Sequence, residues 1–147
     1  MLQAYPRVKT KRLRLTFGGA RLRLSVAQDQ ENVIELDRTK QTNGISPNWV
    51  HSMDASHMRE TVRRCWGEGL RSFSLVHDSY GTHAGNAWAL ADILREAFID
   101  MYSEQDVLAN FKEELEEQLP EGKKLDSLPA KGDLDLGLVM QSDFFFA

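Results

Sequence analysis

The sequence predicts a single α+β domain in which antiparallel hairpins pack on helices, and three observations carry that reading. Residues 11–26 and 71–78 alternate apolar and polar side chains with the period of a strand. Residues 47–66, 86–102 and 105–119 repeat apolar side chains at helical spacing. The chain has 147 residues and is 41% hydrophobic and 27% charged, so it can bury a core and is not disordered throughout. No apolar run approaches about 18 residues, and the opening MLQAYPRVKTKRLRL lacks the apolar block of a signal peptide. The expected address is the cytoplasm. Cys65, the one cysteine, cannot make an internal disulfide or a cysteine-based zinc site by itself.

In the first hairpin, Leu13, Leu15 and Phe17 alternate with Arg12, Arg14 and Thr16, and Leu22, Leu24 and Val26 with Arg21, Arg23 and Ser25. Gly18-Gly19 supplies a two-residue turn, because glycine accepts the positive φ that such turns need. That turn sets Leu15 opposite Leu22 and Leu13 opposite Leu24, on a face expected to pack inward. On the other face Arg14 opposes Arg23 and Arg12 opposes Ser25. Like charges opposed on a strand pair destabilise it unless an anion lies between them. This face therefore reads either as a solvated surface or as a phosphate-contacting ribbon. Residues 1–28 hold seven Lys/Arg and no Asp/Glu, which leaves 11 Lys/Arg against all 22 Asp/Glu for the remainder. A basic end on an acidic body suggests a phosphate-rich partner or an acidic surface.

Residues 27–46 are polar and read as a connector, with a short strand at most around Val33, Ile34 and Leu36. Ser46-Pro47 then reads as a helix start, Ser as N-cap and Pro at the first helical position. That helix runs to about Trp66, where Gly67 and Gly69 stop it. His51, Asp54, Ala55 and Met58 share one of its faces. In the strand over 71–78, Phe73, Leu75 and His77 form the core side and Asp78 ends the opposite face, with residues 79–82 as the turn. The helix over 86–102 buries Trp88, Ala91, Ile93 or Leu94, Ala97, Phe98 and Met101, with Gly85 or Asn86 as its cap. A further helix over 105–119 buries Val107, Leu108, Phe111, Leu115 and Leu119. After a loop over 120–133, the tail closes on Phe144, Phe145, Phe146 and Ala147. Three exposed aromatics would form an aggregation-prone patch, so they enter the core or dock in a cleft together with the terminal carboxylate.

Common enzyme constellations are missing from the sequence: no Gly-rich phosphate loop, no HExxH, no GxSxG and no GxGxxG. A zinc site from His77, Asp78 and His83 conflicts with the strand period, which points adjacent residues to opposite faces. Asp78 remains, a carboxylate at a strand–turn junction. Mg²⁺ suits such a position, since it binds few carboxylates and takes its other ligands from water and substrate phosphates. A two-metal site needs a second carboxylate. Asp54 is a candidate, although nothing in the spacing requires it.

Residues 43–58, NGISPNWVHSMDASHM, resemble the helix segment that precedes motif C in the single-subunit RNA polymerases of T-odd phages and mitochondria. Val76-His77-Asp78-Ser79-Tyr80-Gly81-Thr82 resembles motif C itself, the HDSxGT turn. Lys131-Gly132-Asp133-Leu134 and the closing Asp143-Phe144-Phe145-Phe146-Ala147 resemble the family's C-terminal stretch. These landmarks stand in family order and at family-like spacing, and the basic hairpin fits what precedes them.

The resemblance implies the C-terminal part of the palm subdomain of a right-hand DNA-directed RNA polymerase. By it, Asp78 is one of two catalytic aspartates that hold Mg²⁺. His51 reaches the nascent strand or incoming nucleotide near its sugar, where a 2′-hydroxyl contact helps tell RNA from DNA. Phe146 and Ala147 form a C-terminal foot that approaches the active centre, with His77 and Tyr80 in support. Tyr80 stands where the phage enzymes usually have Phe, and Ser79, rather than Glu, favours the RNA enzymes over related DNA polymerases. Arg12, Arg14, Arg21 and Arg23 are candidate phosphate contacts. DNA template, nascent RNA and NTPs are the implied partners, together with the N-terminal remainder of the enzyme. The family's other catalytic Asp (motif A), its fingers and its promoter-reading parts have no counterpart here. The chain alone is therefore expected to be inactive. Two alternatives stand beside this reading. One is a stand-alone nucleic-acid-binding or regulatory module; the other is a metal-dependent hydrolase built on Asp78 and His83.

Overall fold

The computed structural model describes residues 3–7, 10–27 and 35–146. The chain divides into two compact units, Met1–Ser52 and Met53–Ala147. In the first unit, β1 (Thr10–Phe17) and β2 (Ala20–Ala27) form an antiparallel hairpin. Gly18 and Gly19 make its turn at φ 55 and 81, the left-handed region that a side chain disfavours. The register pairs Leu13 with Leu24, Leu15 with Leu22, Arg14 with Arg23 and Arg12 with Ser25. The alternation predicts this pairing correctly, but its leucine face is not packed inward. Leu15 is 47% exposed and Phe17 81%. Every residue of both strands is exposed, because a two-stranded ribbon has no layer of its own to cover it.

The long helix α1 spans Arg38–Gly67 and so starts well before the Ser46-Pro47 signal. Asp37 opens it: its carboxylate accepts from the Lys40 N–H at 3.1 Å and its carbonyl from the Gln41 N–H at 2.9 Å. Pro47 lies inside the helix, where it lacks the N–H that would reach back one turn. The segment over 38–46 is therefore helix and not connector. Of the strand expected around Val33, Ile34 and Leu36, the first two residues lie outside the described residues. Leu36 makes an isolated antiparallel bridge with Pro6, flanked by hydrogen bonds from Arg7 N–H to the Glu35 carbonyl and from Asp37 N–H to the Tyr5 carbonyl. The bridge delivers Tyr5 to α1 at Gly44, where an added Cβ would come within 2.7 Å of the Tyr5 ring. Asn48 donates to the Tyr5 hydroxyl at 2.9 Å and to the Gln3 side-chain oxygen at 2.8 Å. Contacts from residues 3–7 thus support a stretch whose Thr, Asn and Gly content gives poor helix propensity.

In the second unit the later turns of α1 bury His57, Thr61 and Cys65, spaced four apart on one face. Helix α2 (Ala87–Ser103) buries Leu90, Ile93, Leu94 and Ala97. Leu70 joins that core, with half-buried Phe73 and Tyr80 packed against it. Arg64 of α1 bridges Glu60 and Asp100 of α2, both at 2.7 Å. The hydrogen bonds from Arg63 and Arg64 pull the Glu60 carboxyl down to about 2. Strands β3 (Ser74–Val76) and β4 (Ser79–Gly81) pair antiparallel, Leu75 opposite Tyr80. The turn therefore falls on His77-Asp78, and residues 79–81, expected to turn, form a strand.

A 3-10 turn at Ala84–Asn86 leads into α2, and Asn86 makes no side-chain cap bond. Trp88, expected in the buried stripe, is 83% exposed, since the buried side of α2 is formed by Leu90, Ile93, Leu94 and Ala97 and Trp88, two residues before Leu90, falls on the opposite side of the helix. Helix α3 (Val107–Glu116) is capped by Asp106, whose carboxylate accepts from the Ala109 N–H at 3.0 Å and pairs with Lys131 at 3.0 Å. A C-terminal 3-10 turn, Leu136–Gln141, packs on α2. Beyond it Arg95 donates to the Ser142 carbonyl at 3.1 Å. Among the described residues no helix is long and apolar enough to cross a membrane.

Candidate active site

Asp78 sits exposed in the two-residue turn between β3 and β4, while Phe73 and Leu75, earlier in the hairpin, are half-buried. Its neighbour His77 adopts φ 52, left-handed backbone that non-glycine residues rarely take. Holding it there costs about 1–2 kcal/mol. The Thr82 hydroxyl donates to the Ser72 carbonyl at 2.8 Å and closes the base of the hairpin.

Behind the turn, Tyr80 places its hydroxyl 3.4 Å from Nδ1 of His57. His57 is 1% exposed, and its Nε2 lies 2.9 Å from the Leu94 carbonyl. A carbonyl can only accept, so Nε2 carries the proton and Nδ1 is left to accept from Tyr80. Burial holds His57 below its ordinary value, against the opposing pull of the Leu94 hydrogen bond and the Asp54 charge. Burial pushes Tyr80 up to about 12, with the Asp54 and Asp78 charges adding to the shift. Tyr102 is pushed up in the same way, by burial and then Asp54.

The three C-terminal aromatics divide. Phe146 packs 5.2 Å from the His57 ring and 5.6 Å from the Tyr80 ring, centroid to centroid. Phe145 packs on Phe98 at 5.1 Å and under the Arg95 guanidinium at 5.8 Å. Phe144 stays 93% exposed. A cleft of about 300 Å³ is lined by Tyr80, Thr82, Leu90, Leu94, Phe145 and Phe146. Ala147 lies outside the described residues.

His51, on α1 in the first unit, is exposed, as are Arg12, Arg14, Arg21 and Arg23. Arg12, Arg14 and Arg23 line a hollow of about 490 Å³ on the hairpin, together with Ser25. Arg21 stands opposite Thr16 and does not line it. Of the expected site residues in the second unit, Tyr80 and Phe146 meet ring to ring, and His77 and Asp78 form the exposed turn that leads into the strand of Tyr80. His57, which the motif reading passes over, joins Tyr80 and Phe146. Its signal was present in the buried face that it shares with Thr61 and Cys65.

Among the described residues, no three His, Cys, Asp or Glu side chains gather where they could hold a metal ion. The donor that the turn offers is one exposed carboxylate. That fits a single protein ligand to Mg²⁺, an ion that keeps several waters and substrate oxygens in its shell.

A profile of the family described as DNA-dependent RNA polymerase matches residues 1–128. The chain is 42% identical to T7 RNA polymerase of Escherichia phage T7 over 151 residues, which cover 99% of this chain and 17% of that protein. It is 40% identical to the DNA-directed RNA polymerase of Enterobacteria phage K11, over 99% of this chain and 16% of that one. It is 41% identical to DNA-directed RNA polymerase 1A of Nicotiana tabacum over 107 residues, 73% of this chain and 67% of that protein. The chain thus spans about a sixth of the length of the phage proteins it matches.

Proposed function

Because the chain belongs to the DNA-dependent RNA polymerase family, in its T7-type single-subunit branch, we propose that it supplies one catalytic carboxylate, Asp78, to template-directed nucleotidyl transfer. The observation that carries this reading is an exposed aspartate in a strained two-residue turn, His77 at φ 52, within the sequence HDSYGT. In this reading the chain is the C-terminal part of the palm and works beside the N-terminal remainder of a polymerase, in the cytoplasm of an infected cell. DNA template, nascent RNA and NTPs are its partners. By itself the chain is inactive, because the second aspartate and the fingers come from outside it.

Mg²⁺, held by Asp78 and an aspartate from the remainder of the enzyme, would activate the attacking 3′ oxygen and neutralise charge on the triphosphate. The chain's own residues do the rest. The turn presents Asp78 to solvent, and the Thr82–Ser72 hydrogen bond holds the hairpin that carries it. Tyr80, Phe145 and Phe146 form the aromatic side of the cleft behind the turn. On this reading Phe146 belongs to the foot on the nascent-strand side. His51 offers a ring nitrogen to a ribose 2′-hydroxyl, a group that DNA lacks. Arg12, Arg14, Arg21 and Arg23 meet backbone phosphates through an exposed face that carries four arginines and no carboxylate.

The test joins the 147-residue chain to a T7-type polymerase that lacks the matching segment and measures RNA synthesis on a promoter template. The fusion should make RNA and the chain alone should not. A folded fusion that binds template without synthesis would contradict the proposal and favour a stand-alone nucleic-acid-binding module. The observation on that side is the exposed arginine face.

A further inference from the structure

His57 is the buried group that the polymerase motif leaves without a role. Its ring is gripped from several sides within the second unit. Nε2 donates to the Leu94 carbonyl of α2 at 2.9 Å. Nδ1 accepts from the Tyr80 hydroxyl at 3.4 Å, a long bond and so a weak one. The rings of His57, Tyr80 and Phe146 close a triangle, with centroids 6.0, 5.6 and 5.2 Å apart. Phe98 of α2 stands edge-on to His57 at 5.5 Å.

Tyr80 is the middle residue of β4, the strand that leaves the Asp78 turn. The turn is strained at His77. Such a conformation persists only where its surroundings over-determine it. The turn is exposed, so that support must come from the strands behind it.

We propose that His57 is a positioning residue for Asp78: pinned to α2 through Leu94, it holds β4 through Tyr80 and so fixes the turn that carries the carboxylate. The proposal rests on the reading of Asp78 as a catalytic carboxylate. The Leu94 bond sets both the tautomer and the plane of the imidazole, and the tautomer makes Nδ1 an acceptor for Tyr80. Ring packing holds Tyr80 in part even without its hydroxyl, so Tyr80→Phe loosens β4 without releasing it. His57→Gln keeps a donor for the Leu94 carbonyl but removes the ring on which both Tyr80 and Phe146 lean. A graded response follows, small for Tyr80→Phe and larger for His57→Gln.

Two readouts test this. In the 147-residue chain, nitrogen-15 imidazole spectra should show His57 protonated at Nε2. Tyr80→Phe should shift its Nδ1 resonance and the backbone amides of His77 and Asp78. A His57 protonated at Nδ1, or His77 and Asp78 amides that neither variant moves, overturns the proposal. If His57→Gln does not fold, Tyr80→Phe decides alone. In the fusion polymerase, kcat should fall about tenfold for His57→Gln and about threefold for Tyr80→Phe, with KM for NTPs within about twofold. A decrease in kcat/KM expressed wholly in KM overturns it as well. An Asp78→Asn fusion that stays active removes the catalytic reading and leaves the spectral result standing. An inactive Asp78→Asn fusion with unmoved amides in the Tyr80 and His57 variants removes only the positioning role.

Discussion

At the scale of single residues, the buried imidazole of His57 links the fold to pH. In the folded chain burial keeps its affinity for protons below the ordinary value of 6.5. The unfolded chain takes up a proton near that value and the folded chain does not, so stability is full above it and declines as pH falls through it. Thermal midpoints should drop between about pH 7.5 and about pH 5, and the drop should flatten in His57→Gln. A midpoint indifferent to pH across that window would contradict the neutral imidazole. Glu60 acts lower on the scale: its contribution is present above its ordinary 4.5 and disappears only as pH falls toward about 2. Asp78 is legible in the sequence because its neighbours HDSYGT carry the resemblance. The burial of His57 is legible from its helical spacing with Thr61 and Cys65, but its contacts are not, because its partners Tyr80, Leu94 and Phe146 lie 23, 37 and 89 residues further along the chain.

At the scale of elements, the β1–β2 register is readable, since a Gly-Gly turn and a period of two leave one pairing that segregates the leucines. Their burial is not readable, because alternation records which residues share a face and not whether a layer covers it. The start of α1 departs from its local signal for a similar reason. Ser46-Pro47 is a strong helix-start pair, and it yields to the Asp37 cap and to hydrogen bonds with Gln3 and Tyr5 far back in the chain. The β3–β4 turn falls on residues 77–78 and not on 79–82, because the chain bends through left-handed His77. The arginine face belongs to this scale too. Replacing Arg14 and Arg23 by alanine should weaken nucleic-acid binding. The slope of log affinity against log salt should become shallower by about 0.9 for each duplex phosphate no longer neutralised. An unchanged slope would assign this face to solvent.

At the scale of the whole molecule, the exposed apolar side of the hairpin and the shortness of the chain point the same way. Leu13, Leu15, Leu22 and Leu24 are 37–50% exposed, and the chain spans about a sixth of its phage relatives. On the proposed function, the remainder of a polymerase covers that face. Amide exchange across β1 and β2 should then be fast in the 147-residue chain and slowed in the fusion polymerase, where a further layer protects the ladder. Equal exchange in both would leave the leucine face uncovered. The central claim, that Asp78 acts in nucleotidyl transfer, is met most directly by the rate of single-nucleotide addition in the fusion polymerase carrying Asp78→Asn. The account predicts a fall of about a thousandfold or more with template affinity retained, since a metal-binding carboxylate contributes to the transition state and little to duplex binding. Addition at the rate of the unsubstituted fusion would contradict it.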